Sequence, residues 1–395
     1  MKILHVIPSI AAVRGGPSKA VIEMVQSLQN ADCEIEITTT NDNGETLLDV
    51  SLEKLQRYQG IPVRFFARFS PKIHAVREFA FSVSLTQWLW QHLHDYDLIH
   101  IHAIFSYPST VAMAIARLKR VPYVVRPLGQ LCHWSLQQSQ LKKQLYLSLI
   151  EQANLNSAQA IHFTSSAEYS EVKKLGLQAS GVIIPHGLTV APLIPDAQIQ
   201  LRQWLHLPND EPIILFLSRI HPKKGLELLI RALAQLQDQR FTFVIAGSGD
   251  ADYENNLRHL INQLGLSNRT RMPGFVEGKQ KDLLLQGSNL FALTSYSENF
   301  GVAVLEALAA GLPVIVTPGV ALSEVVKQYQ LGIVPELNEQ AIATAILNCL
   351  NQSEIMKEMG DRSRQFILEN YTWDKIAAQL VNMYKQVLGD RPCKI

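Results

Sequence analysis

The stretch SENFGVAVLEALAAGLPVIVT, residues 297–317, contains a polar turn, an apolar run with helical character and a β-branched strand. Glu298 lies in the turn, and Glu306 lies inside the apolar run. Burying a carboxylate among apolar side chains is costly unless other groups donate hydrogen bonds to it. The donors for Glu306 must therefore come from a ligand or from elsewhere in the protein.

The alternation of helix and strand extends along the whole chain. Longer helical patterns separate short apolar segments, which are KILHVI, CEIEITTT, LIHIH, PYVV, AIHF and GVIIP in the first half and PIILFLS, FTFVIAG, NLFALT and PVIVT in the second. Strands of this kind are typical of parallel sheets that helices cover on both faces. The pattern predicts an α/β protein with two doubly wound, Rossmann-like domains.

The boundary between the two domains is predicted where the apolar period lapses and prolines collect, between residues 187 and 210. We therefore predict an N-terminal domain over residues 1–188 and a C-terminal domain over residues 189–372. The final segment, residues 373–395, begins with a helical pattern that has one apolar stripe. This helix must dock on the domains, and crossing back to the first domain is one arrangement open to it.

Composition and charge argue against several classes of protein. The net charge of +1 argues against a nucleic-acid binder, and no apolar run approaches the roughly 20 residues of a membrane span. The N-terminus MKILHVIPSI lacks the features of a signal peptide, so we expect it to be the first strand of a cytoplasmic protein. No C-x-x-C pair occurs, which predicts reduced thiols for all four cysteines, Cys33, Cys132, Cys349 and Cys393.

Ligands of open parallel sheets bind beyond the carboxyl ends of the strands, so the loops after strands are the candidate sites. After the first strand, Gly15 and Gly16 precede a helix, where backbone N–H groups can approach an anion. In the second half, Arg219 ends a strand and Lys224 lies five residues further on. An arginine fork and a lysine point charge together suit a diphosphate. The alternatives are a plain strand-to-helix turn and a solvated basic loop.

Two further turns in the second half carry glycines. Gly247 and Gly249 end a strand, and Gly274 precedes Phe275 and Val276, where the backbone has room to face a planar base. Each of these turns is weak evidence when taken alone. Their order and spacing together are more specific.

Taken together, these residues resemble the donor half of the family 4 retaining glycosyltransferases of the GT-B fold. The shared features are the strand-end arginine with a lysine downstream, the G-x-G, the P-G-x-V turn and the E-x7-E of Glu298 and Glu306. The resemblance extends from residue 1 to about residue 371. The first half is similar to a subgroup found in bacterial exopolysaccharide assembly, whose PRGML...W pattern corresponds here to RPLGQLCHW. Arg126 precedes the proline of this motif and is a candidate acceptor or donor contact.

The resemblance implies roles for the E-x7-E region. Glu306 is expected to accept hydrogen bonds from the ribose hydroxyls of the nucleotide, and Glu298 is expected beside the donor sugar. The backbone N–H groups of Asn299, Phe300 and Gly301 are expected to face sugar hydroxyls and phosphate. The donor is also expected to be lined by Val276 and by the glycines of the loops, which are Gly15, Gly16, Gly247, Gly249 and Gly274. The alternative for Glu306 is a carboxylate that is satisfied by protein groups alone.

The resemblance also implies a mechanism. Arg219 and Lys224 are expected to neutralise the departing diphosphate, while the acceptor hydroxyl attacks from the face that the leaving group vacates. His102, at the end of LIHIH, is expected to orient the sugar or the acceptor.

We predict that no metal is required. His92, His94, His100 and His102 complete no known ligand spacing. The D-x-D at 95–97 precedes its strand, and the D-x-D at 250–252 is expected to cap a helix.

The predicted activity is a metal-independent hexosyl transfer from a UDP-sugar to a saccharide or lipid-linked acceptor in polysaccharide biosynthesis. UDP-glucose is the leading donor, followed by GDP-mannose and UDP-galactose. Other activities are alternatives with less support. A GT-B UDP-sugar epimerase would need a set of acid/base carboxylates in the cleft, which the sequence patterns do not reveal. A dinucleotide oxidoreductase would need G-x-G-x-x-G after the first strand, where the sequence has VRGGPSKA. A non-catalytic sugar-nucleotide-binding protein would lack the two cations.

One stretch predicts peripheral contact with an anionic membrane. Residues 58–77 contain no Asp or Glu. Cations and aromatic rings alternate in this stretch, and anionic lipid surfaces attract both. They are Arg64, Phe65, Phe66, Arg68, Phe69, Lys72 and Arg77. The alternative is that VRFF is a core strand and the arginines belong to a solvated loop.

Overall fold

The computed structural model describes residues 1–29, 31 and 33–389. They form two compact units. The first comprises Met1–Gly187 and the C-terminal segment that starts at Trp373, and the second comprises Leu188–Thr372. Each unit contains one large sheet made mainly of parallel strands, so the predicted α/β class with two Rossmann-like domains is confirmed. The described cysteines form no disulfide, and Cys393 lies outside the described residues.

The first unit is built around an eight-stranded sheet. Its strands are β1 (Lys2–Val6), β2 (Glu34–Thr40), β5 (Leu55–Tyr58), β6 (Ile61–Phe66), β7 (Leu98–His102), β8 (Tyr123–Arg126), β9 (Ala160–Phe163) and β10 (Gly181–Ile183), and a separate small hairpin contains β3 (Asp42–Asn43) and β4 (Thr46–Leu47). The strand order is β10-β9-β8-β7-β1-β2-β6-β5. All neighbouring strands are parallel except β5 and β6.

Helices cover both faces of this sheet. They are α1 (Gly16–Gln29), α2 (His74–Glu78), α3 (Val83–His92), α4 (Tyr107–Lys119), α5 (His133–Gln137), α6 (Gln140–Tyr146), α7 (Gln152–Asn156) and α8 (Ser166–Lys173). Successive side chains of a strand point to opposite faces. Ile3 of β1 therefore packs in one core, and Leu4 and Val6 pack in the other. This two-sided burial explains why the strand is apolar throughout.

The second unit has a six-stranded sheet in which all neighbouring strands are parallel. Its strands are β11 (Ile213–Leu217), β12 (Thr242–Ala246), β13 (Thr270–Gly274), β14 (Leu290–Leu293), β15 (Val314–Val316) and β16 (Gly332–Ile333), in the order β13-β12-β11-β14-β15-β16. Its helices are α9 (Ala197–Leu205), α10 (Leu226–Ala234), α11 (Ala251–Gln263), α12 (Gly278–Gly287), α13 (Val302–Ala309), α14 (Ser323–Gln328), α15 (Glu339–Asn351) and α16 (Ser353–Asn370).

The last helix, α17 (Trp373–Leu388), belongs to the first unit. Its apolar stripe buries Ile376, Leu380 and Tyr384 in the same core as α1. The indole Nε1 of Trp373 donates a hydrogen bond of 3.1 Å to the Glu23 carboxylate. The helix is thus fixed to α1 by apolar packing and by a polar contact at its first residue.

The predicted membrane-facing stretch is only partly at the surface: Phe69 and Lys72 are exposed, and membrane contact stays a prediction. Phe65 and Phe66 belong to β6 and are buried, and Arg68 is buried as well. The Arg64 guanidinium binds the Glu36 carboxylate at 3.0 Å and lies 4.9 Å from the Trp88 ring centroid. The strand interpretation of VRFF is therefore correct. Within the described part of the chain, every helix is too short or too polar to cross a bilayer.

Candidate active site

The loops after β11 and β14 bring a lysine and a glutamate together in the second unit. The two strands are parallel neighbours, so their carboxyl ends lie at the same edge of the sheet. Lys224 ends a one-turn 3₁₀ helix in the first loop, and Glu298 lies in the second. The Lys224 ammonium forms a salt bridge with the Glu298 carboxylate. A cation and an anion that are 74 residues apart in the sequence thus meet at the predicted edge.

Arg219 and Lys224 share one loop but have different environments. Lys224 is buried and held by Glu298, whereas Arg219 is exposed to solvent. The loop is held in place at Gly225, whose φ is +62° and where an added Cβ would lie 2.2 Å from the Thr294 carbonyl oxygen. A side chain at Gly225 would therefore push this loop away from the loop after β14.

Gly301 sets the start of α13 in the Glu298 loop. Its φ of +94° lies in the left-handed region, and an added Cβ would meet Val320 at 3.2 Å and the Glu298 Cγ at 3.5 Å. The Glu298 backbone is also paired with the neighbouring loop, because its N–H donates to the Gly319 carbonyl at 2.8 Å. Asn299, Phe300 and Gly301 therefore precede the positive end of the helix dipole, where an anionic group is favoured.

Glu306 has a protein partner that the sequence did not reveal. The Lys281 ammonium of α12 binds Glu306 Oε1 at 2.6 Å, and both side chains are largely but not completely buried. Lys281 belongs to no recognisable motif, and its position depends on how α12 packs against α13. The protein thus supplies a cation to one oxygen of Glu306. The predicted ribose contact remains a prediction.

The glycines after β12 allow two loops to pack closely. A Cβ at Gly247 would lie 1.9 Å from the Ser218 carbonyl oxygen, and a Cβ at Gly249 would lie 1.9 Å from the Ile220 carbonyl oxygen. The close backbone approach that these two glycines permit holds the loop that carries Arg219. The two glycines therefore have a structural function, whatever they contact in a ligand.

The turn after β13 is more open. Gly274 has a φ of +81° with open space around it, and its carbonyl accepts a hydrogen bond of 2.8 Å from the Gly247 N–H. The Val276 side chain packs in the core, so this residue would face a ligand through its backbone.

The helix cap predicted for the D-x-D at 250–252 is confirmed. Asp250 Oδ1 accepts 3.1 Å hydrogen bonds from the Asp252 and Tyr253 N–H groups.

In the first unit, Gly15 and Gly16 are exposed at the start of α1, and Gly15 has a φ of +72°. The preceding Arg14 binds the carboxylates of Asp42 and Glu78 at 2.6 and 2.7 Å. A dinucleotide oxidoreductase would also need an acidic residue at the end of the second strand to bind a ribose, and Asp42 is the candidate there. Its pairing with Arg14 argues against that alternative.

His102 and Arg126 lie side by side at the ends of β7 and β8, where they are register partners. The His102 Nε2 is 2.9 Å from Nδ1 of His5, a residue of β1 that the sequence patterns did not single out. Burial is the main cause that lowers the pKa of His102 well below its usual value and the pKa of His5 to about 3. Both rings are therefore neutral at pH 7, which suits hydrogen bonding better than strong-base catalysis.

His100 belongs to a chain of hydrogen bonds that ends at the Ile184 carbonyl oxygen. Because a carbonyl oxygen can only accept, it fixes which atom donates in each bond of the chain. His162 Nε2 is 2.8 Å from the Ile184 carbonyl oxygen and must donate to it, so His162 Nδ1 accepts from His100 Nε2 at 3.3 Å. The His100 Nδ1 then accepts from the Tyr384 hydroxyl at 2.8 Å. Both nitrogens of His100 are therefore engaged, and the chain links α17 to β7 and β9.

This chain bears on metal binding. His5, His100 and His102 offer one nitrogen each within 4.8 Å of one another. A metal ion would have to displace a hydrogen bond of His100, and the Arg126 cation lies close enough to lower the pKa of all three rings. The group is therefore a poor cation site.

Comparisons with known proteins found a family match in each unit. Residues 15–187 match a family model described as glycosyl transferase 4-like domain, and residues 198–366 match the model of glycosyl transferases group 1. Each match covers less than half of the chain, and each unit is therefore similar to a glycosyltransferase domain. The two sheets match solved GT-B glycosyltransferases, which establishes the GT-B fold. HepE from Anabaena, in complex with UDP and glucose, has a TM-score of 0.76 at 23% identity, with 98% of this chain and 100% of that chain covered.

Two relatives show how far the sequence similarity extends. An uncharacterized glycosyltransferase of Methanocaldococcus jannaschii is 35% identical over 193 residues, which are 48% of this chain and 49% of that protein. A D-inositol 3-phosphate glycosyltransferase of Streptomyces bingchenggensis is 26% identical over 95% of this chain and 85% of its own length. The chain spans about half the length of the first curated relatives that it matches.

Proposed function

We propose that this GT-B chain is a retaining glycosyltransferase that moves a hexose from a nucleoside diphosphate sugar to a saccharide acceptor. The observation that carries the proposal is the Lys224–Glu298 ion pair, with Arg219 on the same loop, at the carboxyl ends of β11 and β14. This edge of a parallel sheet is where ligands bind in such folds. Two cations, a carboxylate and a helix N-terminus supply the groups that a sugar diphosphate requires.

The proposed chemistry follows from charge. As the glycosidic bond breaks, negative charge grows on the departing diphosphate, and Arg219 and Lys224 neutralise it. The acceptor hydroxyl attacks the anomeric carbon from the face that the diphosphate leaves, and a phosphate oxygen takes the hydroxyl proton. These steps retain the anomeric configuration and require neither a protein nucleophile nor a metal.

UDP-glucose is the leading donor in this proposal, and the HepE complex with UDP and glucose supports that choice. The acceptor is a saccharide, a lipid-linked saccharide or an inositol-type alcohol, and the last choice follows from the name of the Streptomyces relative. Polysaccharide biosynthesis at the cytoplasmic face of the membrane is the proposed setting. An epimerase is not favoured, because both matching domain families are named for glycosyl transfer.

The experiment is a screen of the purified chain against UDP-glucose, UDP-galactose and GDP-mannose, with released nucleotide as the readout. Glucose, cellobiose and myo-inositol serve as test acceptors, and chelator is present throughout. Release of UDP that depends on UDP-glucose supports the proposal. UDP binding without any nucleotide release would identify a sugar-nucleotide-binding protein instead.

We further propose that a membrane-contacting surface lies on and after α6. Leu141, Leu145 and Leu149 are 83%, 61% and 71% exposed, and Ile150 is exposed beside them. Residues 127–150 contain no Asp or Glu, and Lys142 is exposed within the stripe. Exposed aliphatic side chains with cations and without acids suit an anionic lipid surface.

Co-sedimentation with vesicles of phosphatidylglycerol and phosphatidylcholine tests this surface. The wild type should sediment at low salt, and Leu145→Glu with Leu149→Glu should stay in the supernatant. Leu193→Glu, at an exposed leucine of the second unit, is the matched control and should sediment like the wild type. Equal sedimentation of all three proteins would contradict the proposal.

A further inference from the structure

Arg126 is a buried cation whose hydrogen-bonding capacity is largely unused. It ends β8 with 0% of its surface exposed, and its Nε and Nη1 atoms have no hydrogen-bond partner among the described residues. These two atoms carry three of the five N–H donors of the guanidinium group. Leaving buried donors unsatisfied costs free energy, and leaving a buried charge unpaired costs more. Such a group calls for an explanation.

Arg68 in the same unit shows how a structural arginine is satisfied. It is 3% exposed, and Nη1 binds the Asp42 carboxylate and the Gly44 carbonyl. Its Nη2 donates to the Thr46 carbonyl at 3.2 Å and to the Ser70 hydroxyl at 2.9 Å. One atom, Nε, has no partner in the part of the chain that the structure describes. Arg68 thus has a counter-ion and several acceptors at a burial close to that of Arg126.

The described surroundings of Arg126 provide no equivalent set of acceptors. Its Nη2 is 3.0 Å from Nδ1 and 3.1 Å from Nε2 of His186. Nearly equal distances to two ring nitrogens mean that Nη2 lies against the ring and along neither lone pair. Burial lowers the pKa of Arg126 to about 10, and the charge of the buried Glu168 carboxylate offsets only part of this shift. Both oxygens of Glu168 already accept other hydrogen bonds, from the Gly129 N–H and from Thr164.

Two histidine nitrogens beside Arg126 are also unused. The His5–His102 pair shares one hydrogen bond, and the outer atoms, His5 Nε2 and His102 Nδ1, have no partner among the described residues. In either tautomer of the pair, one of these outer nitrogens carries a proton and can donate it. The end of β8 therefore combines a positive charge that has no hydrogen-bonded carboxylate among the described residues with a neutral donor next to it.

We propose that Arg126 binds an anionic group, a carboxylate or a phosphate, that belongs to the acceptor. The inference rests on the proposed function for the existence of an acceptor, and it adds that the acceptor is an acidic molecule. The anion would supply the counter-ion and the acceptors that Arg126 lacks. Charge-assisted hydrogen bonds to guanidinium are the strong class in proteins, and they gain strength away from water.

The first test separates a binding arginine from a structural one. Without ligand, Arg126→Met should unfold at the same temperature as the wild type or a higher one, because it removes an unpaired buried charge. Arg68→Met is the matched control and should lower the unfolding temperature, because it leaves Asp42 without that partner. A clear loss of stability in Arg126→Met, equal to that of Arg68→Met, would assign Arg126 to the fold and overturn the inference.

The second test measures the anion directly by calorimetry with inorganic phosphate, D-glucuronate and D-glucose. The wild type should bind phosphate or glucuronate more tightly than glucose, and Arg126→Met should lose about tenfold or more of that affinity, as expected for charged hydrogen bonds. Preference for phosphate or for glucuronate identifies the source of the anion. Equal binding of these probes by the two proteins, or no binding to the wild type, would contradict the inference.

UDP distinguishes the acceptor from the donor. Arg126→Met should bind UDP with wild-type affinity, because the candidate diphosphate cations lie in the second unit. If its UDP affinity falls as much as its affinity for the probes, the anion is the donor diphosphate and the acceptor assignment is wrong. Anion binding that persists in a chain unable to release UDP from any sugar nucleotide would contradict the proposed function and leave the anion site intact.

Discussion

Lys281 of α12 and Glu306 of α13 form an ion pair, with 2.6 Å between the ammonium nitrogen and Oε1. This contact explains how a carboxylate is tolerated in an apolar helix. The pair is partly accessible, so its net contribution to stability is modest. It also holds the Glu306 carboxylate in one position, which suits a residue that is predicted to bind a ribose diol.

The first prediction separates the structural ion pair of Glu306 from its predicted contact with the ribose. Glu306→Gln should weaken UDP binding by about tenfold to a hundredfold, because hydrogen bonds to a charged acceptor are lost. Lys281→Met breaks the same ion pair but keeps the carboxylate, so it should weaken UDP binding much less. Calorimetry with UDP measures both effects. Equal affinities in Glu306→Gln and the wild type would show that the carboxylate serves the fold.

The second prediction concerns the two cations of the β11 loop. Arg219→Ala and Lys224→Ala should each lower kcat/KM by about two to three decades, because each removes a charge that stabilises the leaving group. Their stabilities should differ. Lys224→Ala should lower Tm, since it leaves Glu298 without its partner, whereas Arg219 is exposed and its removal should leave Tm unchanged. Near-normal turnover in both variants would remove the pair from the mechanism.

The third prediction tests whether the glycine after β12 is needed for packing. Gly247→Ala should strongly destabilise the chain in urea, because its Cβ would lie 1.9 Å from a backbone oxygen. Gly274→Ala is the matched control, since its left-handed φ has open space around it, and it should cost about 1–2 kcal/mol. A stable Gly247→Ala variant that fails to bind UDP would show that Gly247 acts on the ligand.

The fourth prediction concerns pH. Burial lowers the pKa of His5 and His162 to about 3, whereas a histidine in the unfolded chain titrates near 6.5. Between these values the unfolded state binds more protons, so stability is complete above about pH 6.5 and falls as the pH decreases. Each residue should contribute a loss of about 2 kcal/mol by pH 5.

Urea unfolding at several pH values measures this loss. The variant His162→Gln should show a smaller slope, while a variant at the exposed His259 should show the wild-type slope. A stability that does not change between pH 7 and pH 5 would contradict the assignment of neutral, buried histidines.

The features that sequence could predict depend on local pattern. Continuous apolar segments such as that of β11 indicate strands buried on both faces, and the strand ends then locate Lys224 and Glu298 at one edge. The sequence patterns did not predict contacts that depend on tertiary packing. Lys281 meets Glu306 only because α12 packs beside α13, and Arg68 is buried only because the small hairpin after β2 supplies Asp42 and two carbonyls. Charge patterns alone therefore misassigned Arg68 to a membrane surface.

The most direct test of the central claim is proton NMR of the reaction with UDP-glucose, chelator and an acceptor that supports UDP release. The proposed mechanism predicts that the wild type forms a product whose new anomeric proton has the small coupling of an α-linkage, because the donor is α-linked and the configuration is retained. A β-linked product would contradict the retaining mechanism. The absence of any glucosyl transfer, with UDP-glucose bound and intact, would contradict the assignment of a transferase.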